Sequence, residues 1–264
     1  MGIIELDSLL DLFGHRKTAI LRIHSRARAF VKKIKKLLSH GQSLRFFSSL
    51  IKEDDLVFDI GANVGEMTAL YLELGARVVS VEPQEDCLRI LNRRFGENPR
   101  VSILSTAIGA SEGECELMIS DIRSPISSMS KKWITAVKSS GRFLRYDWSR
   151  TITVPVITLD SLIEMHGEPD FCKIDVEGFE SEVLSGLSRP LINLSFEYHI
   201  EFLEHAFDCF ALLRHLGAYR FNYTVESRMA MESPRWMEEQ DICKKLRSLT
   251  CSSLQGDIYA QLKA

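Results

Sequence analysis

The sequence predicts an α/β domain, a mostly parallel sheet with helices on both faces, preceded by a basic helical extension. Three observations carry this reading. Short apolar, β-branched runs alternate with segments of helical periodicity from residue 56 onward. A glycine-bearing turn, "DIGANVG" at 59–65, joins the first run to the first helical segment. The charge is divided: residues 1–52 hold 11 Lys/Arg against 3 Asp/Glu, and residues 53–264 hold 22 against 33. The extension is therefore placed at 1–52 and the body at 53–264.

Residues 16–38 predict an amphipathic helix. Ile20, Ile23, Ala27, Phe30, Val31, Ile34, Leu37 and Leu38 recur at helical spacing, with seven Lys/Arg mostly between them and Gly41 to end it. "LVFDI" then reads as a buried strand. A helix follows from about Gly65 to Leu74, stopped by Gly75. "RVVSVEP" is the second strand, and 85–95 the second helix of the body, with Leu88, Leu91 and Phe95 inward. "RVSILSTAIG" is the third strand. "GECELMIS" and "TITVPVITL" form a strand pair around a polar loop, 121–150. "FCKID" and "LINLSFEYH" are strands, each followed by a helical pattern, the later one closed by Gly217. "YRFNYT" and "DIYAQL" are the last strands. Two segments are candidate substrate lids: 121–150, with Trp133, Phe143, Tyr146 and Trp148 among basic residues, and 225–250, with Met229, Met231, Trp236 and Met237.

Composition removes several classes. A chain of 264 residues, 45% hydrophobic, can bury a core, yet it has no apolar run of about 18 residues that would span a bilayer. Glu5, Asp7 and Asp11 stand where a signal peptide would be basic and then apolar, and Leu6 breaks the myristoylation pattern. The six cysteines form no C-x-x-C pair and read as reduced thiols of a cytoplasmic protein. The helix at 16–38 is expected to pack on the acidic body or on a second subunit, as in a homo-oligomer. The other reading is peripheral contact with the inner membrane surface.

In an open α/β sheet, ligands bind beyond the carboxyl ends of the strands. "DIGANVG" stands there. Against the dinucleotide fingerprint G-x-G-x-x-G, the positions are Gly61, Asn63 and Glu66, and only the first fits. Asp59 would repel a pyrophosphate but suits a ligand carrying an ammonium group. The helix N-terminus near Asn63 to Glu66 suits that ligand's carboxylate. Glu82 ends the second strand, where a carboxylate can accept from both ribose hydroxyls. Asp59, Gly61, Gly65 and Glu82 together favour S-adenosylmethionine over a nicotinamide dinucleotide. Thr106 and Ala107, small residues after the third strand, fall where an adenine ring would lie.

These residues lie within stretches that resemble the FkbM-type methyltransferases: "FDIGANVGEMT", "VEP", "TAIG", "SSM", "TLDSL" and "KIDVEGFESEVLSG". The resemblance covers roughly 53–200, with a weaker tail through "GDIYAQL". It implies a class I methyltransferase fold, Rossmann-like with a seven-stranded sheet, using S-adenosylmethionine, with methyl transfer usually to a hydroxyl of a sugar or polyketide. Thr68, inside the first stretch, joins the cofactor residues. Ser127 and Ser128, in "SSM", are placed by the resemblance near the cofactor or acceptor.

A neutral hydroxyl needs a base or a metal to become a nucleophile. "FCKIDVEGFE" sets Lys173, Asp175 and Glu177 around one strand end, and "SFEYH" sets Glu197 and His199 at the end of its neighbour. In one arrangement His199 or Asp175 is the general base, with Lys173 keeping Asp175 ionised and Glu177 in support. In the other, Asp175, Glu177, Glu197 and His199 hold a divalent cation. No H-x-x-H spacing supports the second, so no metal is assigned, and Glu197 is placed with Ser127 and Ser128 on the substrate side.

The expected function is an S-adenosylmethionine-dependent O-methyltransferase acting on a sugar, glycoconjugate or polyketide-like hydroxyl. A nicotinamide-dependent oxidoreductase and a non-catalytic S-adenosylmethionine-binding partner protein are the competing readings. Nucleic acid is disfavoured as partner. The body is acidic, and "DVEG" stands where a base-methylating enzyme would carry D/N-P-P-Y/F.

Overall fold

A computed structural model describes residues 40–120, 126–141, 143, 146–226, 228–250 and 255–263. The basic helix expected at 16–38 lies outside the described residues. The chain divides into two units, Met1–Arg45 and Phe46–Ala264. Phe46, Phe47 and Ile51, counted with the extension on charge, are buried residues of the second unit.

After a helix through 40–47 (α1), strand and helix alternate: β1 (Leu56–Ile60), α2 (Glu66–Glu73), β2 (Arg77–Val81), α3 (Glu85–Phe95) and β3 (Val101–Leu104). Next come β4 (Ala107–Ile108), β5 (Gly113–Ile119), β6 (Ser127–Ser128), α4 (Lys131–Ser139), β7 (Arg150–Ile157) and α5 (Leu159–His166). The chain continues through β8 (Phe171–Ile174), α6 (Glu180–Ser185), β9 (Asn193–His199), α7 (Leu203–Leu216), β10 (Tyr219–Tyr223), α8 (Glu239–Arg247) and β11 (Gln255–Leu262). The large sheet has seven strands in the order β10-β11-β9-β8-β1-β2-β3. Its centre is parallel, and β11 runs antiparallel between β9 and β10. This is the expected class I methyltransferase architecture.

The strands read as buried are buried: all five residues of β1 and all four of β8. One sheet face carries Phe58, Ile60, Cys172, Ile174, Leu194 and Phe196 into a core with α5, α6, α7 and α8. The other face is covered by α2 and α3, through Tyr71 against Phe171 and Leu91 against Ala62 and Ile103.

The third strand departs from expectation. "RVSILSTAIG" breaks at Ser105–Thr106. β3 stays in the large sheet, while β4 joins a four-stranded sheet ordered β4-β7-β5-β6. The break is held by the Thr106 hydroxyl, which donates to the Pro155 carbonyl at 2.9 Å. β5 and β7 form the expected strand pair, and they run antiparallel. The loop 121–150 holds β6 and α4, and the segment 225–250 holds α8; neither helix was expected. The helix α5 was also unread. Its signal is the cap at Thr158, whose Oγ1 accepts from the Ser161 amide at 3.0 Å.

Candidate functional site

The loop after β1 is shaped by backbone that few residues adopt. Gly61 has φ 81°, Asn63 φ 51° and Gly65 φ 78°. A Cβ on Gly61 would lie 1.9 Å from the Asp175 carbonyl oxygen, and one on Gly65 would lie 2.6 Å from the Phe95 ring. Gly61 thus lets the β1 and β8 ends close together, and Gly65 lets α2 settle on α3.

Beyond these strand ends lies a cavity of about 290 Å³. Gly61, Asn63, Glu82, Gln84, Thr106 and Ala107 line one part, and Asp175, Glu177 and Glu197 another, with Ser127 and Met129 also in its wall. Glu82 is buried. Its two carboxylate oxygens accept from the Asn63 and Gln84 amides, each at 2.9 Å. Burial pushes its pKa up, and those two bonds oppose the shift. Ser127 donates to the Gln84 side chain at 2.8 Å, which ties β6 to this end.

Three residues expected at the cofactor do not line the cavity. Asp59 and Thr68 face each other inside the domain, where the threonine hydroxyl donates to the carboxylate at 2.7 Å and lies 2.9 Å from Ser80 Oγ. Gly65 serves packing, as above. Burial raises the Asp59 pKa, against Lys173 and Thr68, which lower it. Ser128 is also absent from the lining. Its hydroxyl donates to the Glu177 carbonyl at 2.6 Å and accepts from the Ser130 amide at 2.9 Å. It holds Glu177, which has φ 54°, in place.

At the acidic end, Lys173 reaches Asp175 at 2.5 Å. The lysine is buried, yet Asp175, Asp257 and Asp59 together hold it protonated against the cost of desolvation. Glu197 Oε2 lies 2.9 Å from His199 Nε2, and Glu177 Oε2 lies 3.7 Å from that nitrogen. His199 sits behind Glu197, buried edge-on to Trp133 with ring centroids 5.3 Å apart. Burial pushes Glu197 up to about 7, with His199 opposing and Asp175 adding to the shift. The donor atoms of Glu177, Glu197 and His199 lie within 4.8 Å of one another, so these three could hold a metal ion.

Two groups here were not assigned to the site from the sequence. Asp257 of β11 stands opposite Glu197 in the ladder, and burial raises it to about 6, with Lys173 opposing. Glu180 accepts from the Val176 and Gly178 amides at 3.2 and 3.1 Å, while its other oxygen meets His205 Nε2 at 3.0 Å. It therefore braces the turn that presents Asp175 and Glu177. Its signal was "DVEGFE", a carboxylate two residues past a glycine turn. Asp257 carried no local signal.

A sheet that is parallel at its centre, with a cavity beyond the carboxyl ends of its strands, defines a Rossmann-like α/β domain. A family model, the Methyltransferase FkbM domain, matches residues 59–249, and the chain belongs to that family. Hexuronic acid methyltransferase AglP of Haloferax volcanii is 28% identical over 168 residues, 62% of this chain and 63% of that protein. The chain thus spans under two thirds of that relative's length. Ribosomal RNA small subunit methyltransferase A of Clostridium perfringens is 38% identical over 52 residues, 20% of this chain and 18% of that protein. A precorrin-6y C5,15-methyltransferase structure from Geobacter metallireducens aligns at 10% identity and TM-score 0.44, covering 85% of this chain and 87% of that one. A S-adenosylmethionine-dependent O-methyltransferase from Thermotoga maritima aligns at 12% and 0.41, covering 84% and 64%.

Proposed function

We propose that this protein transfers a methyl group from S-adenosylmethionine to a hydroxyl of a sugar, glycoconjugate or polyketide-like small molecule. One observation supports it most: a single cavity joins a buried carboxylate with both oxygens aimed by backbone amides to a second end rich in carboxylates. Glu82 would accept from the ribose hydroxyls, since each oxygen keeps a lone pair beyond its amide bond. Gly61, Asn63, Thr106 and Ala107 would line the nucleoside, and Ser127 and Gln84 would close over it. The residues present therefore fit the cofactor, which when bound supplies the electrophilic methyl group.

The chain's own part is to place the acceptor oxygen and remove its proton. Asp175 and Glu197 face the cavity and are the groups for that work. Lys173 pairs with Asp175 and fixes its carboxylate, and His199 orients Glu197 from behind. Glu177, in the same wall, completes the acceptor side. Hydroxyl groups donate hydrogen bonds, and this end of the cavity offers acceptors, which suits a polyol such as a sugar. The named activity of the Haloferax volcanii relative, on a hexuronic acid, points the same way.

A second reading places a divalent cation on Glu177, Glu197 and His199. Chelation separates the two. Calorimetric titration with S-adenosylmethionine and with NAD tests the cofactor, and radiolabelled methyl transfer to neutral glycosides, with and without EDTA, tests the chemistry. Binding of S-adenosylmethionine but not NAD, with EDTA-resistant transfer to a glycoside, is expected. Tight NAD binding would return the oxidoreductase reading. Cofactor binding without transfer to any hydroxyl, unchanged in Asp175→Asn, would leave a non-catalytic binding protein.

A further inference from the structure

The two-residue strand β6 reaches both ends of the cavity. Successive side chains on a strand point to opposite faces. Ser127 and Met129 accordingly stand in the cavity wall, and Ser128 turns away from it. On the cavity side, the Ser127 hydroxyl donates to the Gln84 side-chain oxygen at 2.8 Å. Gln84 gives its backbone amide to Glu82 Oε1 at 2.9 Å, and its side chain helps to hold the Glu82 pKa down against burial. On the opposite side, the Ser128 hydroxyl donates to the Glu177 carbonyl at 2.6 Å and accepts from the Ser130 amide at 2.9 Å. Ser130 caps α4 by accepting from the Trp133 amide at 3.1 Å. Trp133 then fills the space against Gly178. Two adjacent serines thus link the carboxylate assigned to the ribose with the turn that carries Asp175 and Glu177.

β6 joins its sheet through two residue pairs, Met118↔Ser128 and Ile119↔Ser127. A strand this short is weakly held by its ladder alone, so the two serine hydroxyls carry much of its placement. Glu177, at φ 54°, occupies a backbone conformation that persists only where its neighbours fix it. A ligand that orders Glu82, Gln84 and Ser127 therefore leaves less entropy to be lost when Ser128, Glu177 and the start of α4 are ordered.

We propose that β6 couples the two ends of the site: Ser127, acting through Gln84, and Ser128, acting through the Glu177 carbonyl, are positioning residues by which bound S-adenosylmethionine sets the acceptor side. The inference rests on the cofactor reading above. Neither serine handles the reacting atoms. Coupling of this kind is reciprocal, so a ligand at the acceptor end tightens the cofactor by the same factor.

The test is hydrogen exchange of the full chain, read by mass spectrometry, with and without S-adenosylmethionine at a concentration that saturates each protein. The proteins are wild type, Ser127→Ala, Gln84→Ala, the double variant and Ser128→Ala. In the wild type the cofactor is expected to slow exchange by about tenfold or more in two regions, 61–84 at the cofactor end and 130–139 with 176–180 at the acceptor end. Ser127→Ala and Gln84→Ala should each keep the first protection and lose most of the second. The double variant should lose no more than either alone, because both substitutions break one chain of contacts. Ser128→Ala should keep the protection of 61–84 and lose that of 176–180. Acceptor-end protection that is absent from the wild type, or that survives in Ser127→Ala and Gln84→Ala, overturns the proposal. Losses that add in the double variant overturn it too, since two separate structural roles would do that. Protection of 61–84 in the same data leaves the cofactor reading intact. No protection in either region, with no heat of binding in titration, overturns the cofactor reading and this inference with it. If Ser127→Ala does not fold, Gln84→Ala breaks the same bond from a half-buried position, keeps the backbone amide to Glu82, and decides the outcome.

Discussion

Glu82 shows how a residue can be legible by type and still need its surroundings. The sequence marks it as a carboxylate at a strand end, and the structure shows both oxygens already engaged by amides. Alanine would therefore strip the loop of two acceptors as well as the ribose of its partner. Glu82→Gln is the cleaner probe: one oxygen remains an acceptor while the second becomes a donor facing an N–H. It should weaken S-adenosylmethionine binding by about 1.5–3 kcal/mol, the range for hydrogen bonds to charged groups. A titration showing unchanged affinity would remove Glu82 from the cofactor site. Glu197 makes the opposite point, because its chemistry is set by burial. Its pKa rises from an ordinary 4.5 to about 7, and that of Asp257 from 3.8 to about 6. Between the unfolded and folded values the native state holds protons that the unfolded chain has released. Stability then falls as pH rises through roughly 4 to 7, and the full penalty stands above pH 7. Cofactor-free, metal-free protein should melt higher at pH 6 than at pH 8. Glu197→Gln, which cannot ionise, should raise stability at pH 8 by up to about 3 kcal/mol, read as a higher melting temperature. A melting temperature that rises from pH 6 to pH 8 would contradict this.

At the scale of elements, the loop 121–150 is organised around Trp133. This residue packs on Phe143 and Trp148, meets His199 edge-on, and is fully buried. It also fills the space against Gly178, where a Cβ would lie 2.3 Å from the indole. The α4 segment and the turn that carries Glu177 are therefore one packed unit. Trp133→Ala should cost about 3–5 kcal/mol, the usual loss for a buried aromatic, and should lower acceptor turnover more than cofactor affinity. Denaturant melts with parallel S-adenosylmethionine titrations would show it; equal loss of folding and of cofactor binding would place α4 in the core rather than at the acceptor. The sequence listed the aromatics of this loop but left open whether they stack on a ligand or on each other. Helical spacing over nine residues, interrupted by Ser and Lys, was too short a signal to settle that. The long, strongly periodic elements α3 and α7 were readable from sequence because their apolar faces repeat over three turns or more.

For the whole molecule, charge and packing draw different boundaries. Net charge changes sign near residue 52, but Phe46 and Phe47 belong to the body, in an aromatic cluster with Tyr71, Phe171 and Tyr259. Removing residues 1–39 leaves this aromatic cluster whole, so the melting temperature of that shorter chain is the reference. Removing 1–52 should lower it by several degrees, since two buried phenylalanines go with it. The longer truncation staying as stable as the full chain would contradict that cluster. Among the described residues no helix is long and apolar enough to cross a membrane. Sedimentation with anionic vesicles at physiological salt, before and after removal of 1–39, tests the basic helix. The expected result is no sedimentation of either form.

By itself the sequence determined the alternation of strands and helices, the glycine turn after β1, Glu82, and the two acid-bearing strand ends. Each is written in a few adjacent residues, through periodicity or through a backbone conformation that only certain side chains tolerate. Tertiary structure alone decided that Asp257 opposes Glu197, that His199 lies behind Glu197 rather than at the cavity, and that Asp59 turns inward to Thr68. It also decided that the third strand divides between two sheets. The physical reason is register: the pairing of β9 with β11 joins residues some 60 positions apart, and a shift of one residue there would send Asp257 to the face opposite Glu197.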